Sequence, residues 1–195
     1  MATSDVAFTP AVKALQAERG TRAAYARMDF EREIDEPLAA FIGAQRSVFL
    51  ATANAEGQPY IQHRGGPPGF LRVLGPCTLA FADLAGNRQF ITQGNLSENA
   101  KVHLFLIDYA ERSRVKIWGT ARAVDDAKLL AELTPYAGRG KAAQAIVIEV
   151  TAWDANCPKH IPQRFEAEDV SRALAERDRR IAALEAELEA LRGRG

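Results

Sequence analysis

The sequence predicts a mainly β fold with α decoration, built on six to seven antiparallel strands closed as a barrel. Three observations carry that prediction. Short apolar runs between positions 48 and 150 are separated by turn signals rich in Gly, Pro and Asn, the pattern of linked hairpins. Helical periodicity is confined to the two ends and one late insertion. No GxGxxG follows a strand, and regular βαβ alternation is absent, which excludes the parallel nucleotide-binding sheet. Closure would remove the exposed edges that short strands otherwise leave.

Taken in order, Thr9 and Pro10 read as an N-cap and first helical position, and Val12, Leu15 and Gln16 lead to Gly20 as a stop. A second helix starts near Thr21. Asp35 and Pro37 open a third, whose Leu38, Phe41 and Ile42 share one face and cover a barrel end. Strands at 48–53 and 59–64 flank a turn at 54–57, and strands at 70–74 and 78–82 flank Gly75 and Pro76. Residues 87–100, with Phe90, Ile91 and Leu96, fit either a short helix or an irregular loop. Strands at 102–107, 115–124 and 145–150 complete the set, with a helix at 125–133 carried by Leu129, Leu130 and Leu133. Three parts result: an N-terminal helical segment at 1–34, the barrel at 35–165 and a C-terminal helix at 166–195.

That last helix differs in kind. Val170, Leu174, Arg177, Ile181, Leu184, Leu188 and Leu191 alternate spacings of four and three, a coiled-coil seam broken only by Arg177. Arg180, Glu185, Glu187 and Arg192 flank it, where they can pair across helices. A helix of this pattern either joins a partner helix or folds back on the barrel.

Composition narrows the function. Lys plus Arg and Asp plus Glu each number 25, so the formal net charge is zero and no global field favours nucleic acid or an anionic membrane. The first residues contain neither a basic stretch nor an apolar core of the signal-peptide type, and no apolar run approaches a membrane span, so a cytoplasmic protein is expected. Two cysteines and three scattered histidines supply no paired metal-ligand spacing, and no metal is expected.

Against that neutral background, His63 to Asn95 stands out. HRGGPPG at 63–69 and DLAGNRQ at 83–89 are turn-rich segments carrying imidazole, guanidinium and amide groups between strands. Glycines let a backbone approach closely and expose its N–H groups, and Arg64 and Arg88 can fork onto phosphate oxygens, so a phosphorylated cofactor is one reading. Hairpin turns with solvated arginines are the other.

Five segments in order, HRGGPPGF (63–70), LAFADLAGNRQ (79–89), GNLSEN (94–99), VKIWGTAR (115–122) and NCPKHIPQR (156–164), resemble the pyridoxamine 5′-phosphate oxidase-like FMN-binding split-barrel family, over about residues 35–165. The resemblance implies a homodimer of split barrels holding FMN at the interface and exchanging electrons with a small-molecule donor or acceptor. It implies flavin contacts from Gln62, His63, Arg64 and Gly65, from Phe81, Ala82 and Asp83 beside the ring, and from Asn87 and Arg88 at the phosphate. Gln93 and Asn95 can bind ring carbonyl and nitrogen groups, and Lys116 and Trp118 offer charge and an aromatic surface from one strand face. Phe81 and Trp118 also read as core residues. Cys157 and His160 read either as a thiol and imidazole pair or as a rigid segment laying His160 and Arg164 over the partner's flavin. True pyridoxamine phosphate oxidases end in a strand with an arginine and histidine pair for substrate phosphate. A heptad helix stands there instead, so activity on pyridoxine phosphate is not expected. An FMN-dependent oxidoreductase is the leading reading, beside a non-catalytic flavin or haem carrier and a deazaflavin in place of FMN.

Overall fold

The structure, a computed structural model, describes residues 3–134, 142–156 and 159–193. Its frame is a seven-stranded antiparallel sheet of β1 (Ser47–Ala53), β2 (Pro59–Gly65), β3 (Arg72–Gly75), β4 (Thr78–Leu84), β5 (Lys101–Asp108), β6 (Ser113–Val124) and β7 (Ala142–Asn156). The spatial order is β2-β1-β5-β6-β7-β4-β3. The expected closure is not made by hydrogen bonds: β2 and β3 remain the two end strands, joined through residues 66–71. The barrel is therefore split.

Alternation decides what each strand buries. Val48 and Leu50 of β1, Leu104 and Leu106 of β5, Ile117 of β6 and Ile146 and Ile148 of β7 are fully buried in one cluster with Phe81. Each such side chain contributes about 1.5–3 kcal/mol when removed from water. The amino-terminal helices are α1 (Pro10–Glu18), α2 (Arg22–Tyr25) and α3 (Glu36–Ala44). Thr9 and Asp35 cap α1 and α3 as their side-chain chemistry predicts. Leu38 and Ile42 of α3 join the core, with Phe41 packed against it. The ambiguous stretch at 87–100 contains a helix, α4 (Ile91–Glu98), and the late insertion is α5 (Ala127–Leu133). Leu133 of α5 packs with Ala80 and Ala145 in a second, smaller apolar cluster.

Most strands run one or two residues past the expected bounds, and the departures at β7 and β3 have identifiable causes. β7 extends well beyond 145–150 because its first part pairs with β4 while it also pairs along β6, so backbone bonds carry it past the apolar run. The register shifts between Trp118 and Gly119, where a Cβ on Gly119 would lie 2.4 Å from the Glu149 carbonyl oxygen. Only glycine fits that approach. β3 begins at Arg72 rather than 70, because Gly69 takes φ 85° and donates to the Gly43 carbonyl at 2.7 Å, turning Phe70 and Leu71 into the core before the strand starts.

Segment 3–34 belongs to the same compact unit as the strands, Met1–Asp108 with Ser113–Pro158. Ser4 N–H donates to Asp29 at 2.9 Å, and Thr3 bonds to Asp29 and to the Phe30 carbonyl. These bonds hold the Asp29 carboxyl below its ordinary value. Phe30 then stacks on Trp118 with ring centroids 5.3 Å apart, and Trp153 N–H donates to the Glu31 carbonyl at 2.7 Å. The second compact unit joins Tyr109–Arg112 with Lys159–Gly195. Within it Arg164 lies over the Tyr109 ring at 4.7 Å, and α6 (Ala167–Arg192) follows. No helix among the described residues is long and apolar enough to cross a membrane.

Candidate functional site

A cavity of about 570 Å³ opens where the end of β4 and the first turn of α4 meet β2. Such a volume suits a cofactor-sized ligand. Pairing of Val48 with Arg64, Leu50 with Gln62 and Thr52 with Tyr60 puts Tyr60, Gln62 and Arg64 on the barrel-inward side of β2. All three line the cavity. Asp83 shares its β4 face with Leu79 and Phe81 but comes last, where the core ends and the cavity begins.

These groups form one network. Arg64 Nη2 donates to Thr92 Oγ1 at 3.2 Å and lies 3.3 Å from Asp83 Oδ1, while Gln93 Nε2 donates to Asp83 Oδ2 at 3.2 Å. Asp83 thereby orients both an arginine and an amide toward one space. The Arg64 Nε is buried and has no hydrogen-bond partner among the described residues. A buried N–H of a charged group without an acceptor costs on the order of 1–3 kcal/mol or more, which an anion in the cavity would recover.

Gly86, Asn87, Arg88 and Gln89, all exposed, also line the cavity and form its rim. Asn87 Oδ1 accepts from Gln89 N–H at 3.2 Å, and Arg88 and Phe90 take left-handed backbone at φ 59° and 54°. The guanidinium of Arg88 is exposed and makes no hydrogen bond or ion pair among the described residues. Phe90 gives α4 no side-chain cap, so the first-turn N–H groups at Ile91, Thr92 and Gln93 lack one where they line the cavity. An uncapped helix start beside two arginines has the polarity an anion needs.

Gln62, Arg64, Asp83, Asn87, Arg88 and Gln93 are thus brought together. Seven other sequence-predicted residues lie elsewhere. Phe81, read toward the flavin ring, is a core side chain 1% exposed, because inward alternation continues from Leu79. Ala82 points to the opposite face and packs toward α5. Asn95 is buried and donates to Thr52 Oγ1 at 2.9 Å, tying α4 to β1. Gly65 ends β2, where an added Cβ would meet the His63 ring and the Arg46 carbonyl near 3.0 Å.

His63, Lys116 and Trp118 share the outer sheet face. Lys116, Phe105, Phe49 and His63 make one row across it, and Trp118, His103, Ala51 and Ile61 the next. His63 Nε2 and Ser47 Oγ are 2.7 Å apart, and Lys116 Nζ is 2.8 Å from Asp154. Trp118 stacks on Phe30 and takes the His103 ring edge-on at 4.9 Å. Burial, and secondly the charge of Lys116, hold His103 below its ordinary value. Cys157 lies outside the described residues; His160 is exposed at φ 69°, and Arg164 is engaged with Tyr109.

Tyr60 and Thr92 were not singled out from the sequence. Tyr60 follows from strand alternation once Gln62 and Arg64 are placed on one face. Thr92 had no such signal, because a helix starting at an uncapped phenylalanine breaks the usual start pattern.

None of the curated proteins matches the chain. Among solved structures the fold is similar to HupZ of Group A Streptococcus, at 18% identity over 68% of this chain and 99% of that chain, with TM-score 0.52. An FMN-binding protein from Syntrophomonas wolfei subsp. wolfei matches at 11% identity over 75% of this chain and 95% of its own, with TM-score 0.49. HutZ, the heme storage protein from Vibrio cholerae, matches at 14% identity over 62% and 90%, with TM-score 0.43. The profile of the pyridoxamine 5′-phosphate oxidase family matches residues 34–157, and with its split antiparallel barrel the chain belongs to that family.

Proposed function

We propose that this chain is an FMN-dependent oxidoreductase that holds the flavin phosphate between Arg64, Arg88 and the start of α4. The observation that carries the reading is the buried, unpartnered Arg64 Nε beside an uncapped helix start in one cavity. Two arginines offer forked donors to one phosphate, and Asn87 adds an amide at the rim. Tyr60, Gln62 and Gln93 are left to orient the rest of the ligand, since amides and a phenol both donate and accept. Bound FMN would supply two-electron redox chemistry, and the chain's part would be binding, alignment and the field around the ring. Among the described cavity-lining residues there is no histidine, cysteine or methionine, so a haem there would depend on Tyr60, whose hydroxyl already donates to Gln62 Oε1.

The outer sheet face supports a homodimer as the working form. Ile61 is 62% exposed there, and Phe49, Phe105 and Ile107 are only half-buried, on strands whose opposite face is the core. An apolar outer face of this kind gains by meeting a second copy. His63 and Lys116 would then lie near the interface, while Trp118 is covered by Phe30 of its own chain; the family resemblance gives all three as flavin contacts.

The test is titration of apoprotein with FMN, riboflavin, deazaflavin and haem, followed by anaerobic reduction of the loaded protein with NADH and NADPH. FMN is expected to bind best, to remain with the dimer and to be released with monomer on dilution. Tighter haem binding would overturn the cofactor assignment, and flavin that no donor reduces would overturn the enzymatic reading.

A further inference from the structure

The carboxy-terminal helix α6 has no buried residue. Val170, Leu174, Ile181, Leu184, Leu188 and Leu191 are 41–60% exposed along one seam. A helix of about three heptads that leaves every seam residue in water gains little from tertiary packing, and its start carries no side-chain cap. The spacing places Leu174, Ile181 and Leu188 at the a positions and Val170, Arg177, Leu184 and Leu191 at the d positions of a heptad.

We propose that α6 of two copies of this chain pair as a parallel, in-register, two-stranded coiled coil. Charge complementarity selects this occupant and this orientation. In a parallel pair each g residue faces the e residue of the following heptad on the other helix. Arg180 then meets Glu185 of the second copy, and Glu187 meets Arg192 of the second copy. Both contacts join opposite charges, and symmetry doubles them. In an antiparallel pair e faces e and g faces g, which sets Asp178 against Glu185, a repulsive contact that cancels the one attractive contact of Arg180 with Glu187, whereas the parallel pair has two attractive contacts and no repulsive one. The central layers, Ile181 at a and Leu184 at d, are the combination that in a parallel coiled coil favours two strands over three or four. Arg177 is the single charged seam position, and its long stem lets the guanidinium leave the seam toward Asp178 at the neighbouring e position. The inference does not depend on which cofactor the barrel holds.

Orientation is read by cross-linking full-length protein in which Cys77 and Cys157 are replaced by Ser. Leu174→Cys and Leu191→Cys are tested singly under a glutathione redox buffer. A parallel in-register pair brings each new thiol opposite its own copy, so each variant alone forms a covalent dimer. An antiparallel pair sets the two positions opposite one another and separates like thiols by about 25 Å. Disulfides that form only when the two variants are mixed overturn the parallel arrangement. No disulfide in either variant, in a protein that sediments like a truncation after Phe165, overturns the pairing itself. Arg180→Glu is expected to lower the effective thiol concentration of the Leu191→Cys protein roughly tenfold, and adding Glu185→Arg to restore it. Failure of the double exchange to restore cross-linking would overturn the in-register contact.

Discussion

Replacing Arg88 by Ala and, separately, by Gly separates what its side chain binds from what its backbone costs. Arg88 is held at φ 59°. Left-handed backbone costs an ordinary residue about 1–2 kcal/mol, whereas glycine loses about 0.5–1 kcal/mol through its freer unfolded chain. Arg88→Gly is therefore expected to be between equal to Arg88→Ala and about 1.5 kcal/mol more stable in the free protein. The Ala variant should stay close to wild type, because the guanidinium has no partner among the described residues to lose. Binding should behave differently. A charge-assisted hydrogen bond contributes about 1.5–3 kcal/mol, and the exposure of Arg88 argues for the lower end. Both variants should then bind FMN about tenfold more weakly while riboflavin, lacking the phosphate, is held as before. Flavin fluorescence titration of apoprotein and urea unfolding measure the two effects. Equal losses for FMN and riboflavin would refute the phosphate role, and a Gly variant less stable than the Ala variant would refute the account of the backbone.

Arg64→Ala should weaken FMN more than Arg88→Ala, since Arg64 is the more buried of the two donors. In the free protein the lost Asp83 ion pair, roughly 1–2 kcal/mol after allowance for residual solvent, is offset by relief of the unpartnered Nε, so the melting temperature should change little. His103 sits below its ordinary 6.5, chiefly through burial and secondly through Lys116, so the unfolded chain takes up its proton first on acidification. Stability present above pH 6.5 should fall as pH drops through that value, and His103→Gln should flatten the slope; an unchanged slope would assign the loss to other groups. Gly119→Ala drives a Cβ to 2.4 Å from the Glu149 carbonyl oxygen and should cost about 1–3 kcal/mol in urea unfolding, a cost that wild-type-like stability would contradict. Truncation after Phe165 should leave the FMN titration unchanged while altering mass or melting behaviour, and loss of flavin would place the tail in the cofactor site.

Strand count, helix starts and the antiparallel plan were legible because they rest on local chemistry. Alternation marked β1 and β5, and the capping residues Thr9 and Asp35 marked α1 and α3. The start of α4 was not legible, since Phe90 in left-handed backbone carries none of the usual capping signals. The bounds of β7 were missed because residues 142–144 are held by pairing to β4 and residues 151–156 by pairing to β6, not by an apolar pattern of their own.

The candidate site divides in the same way. Residue chemistry marked Arg64 and Arg88, because guanidinium groups in glycine-bearing turns are legible one residue at a time, and the family resemblance added Asp83, Asn87 and Gln93. The tertiary structure decided which of them meet. Strand parity sent Arg64 inward and His63 outward from adjacent positions, and the depth of Phe81 along β4 made it core while Asp83, two residues on, reached the cavity. By itself the sequence determined the barrel class, the donor chemistry and the heptad seam, all set by side-chain type and spacing. Which donors share one cavity depended on pairing register and strand ends, because those are settled between segments distant in the chain and leave no mark within any one of them.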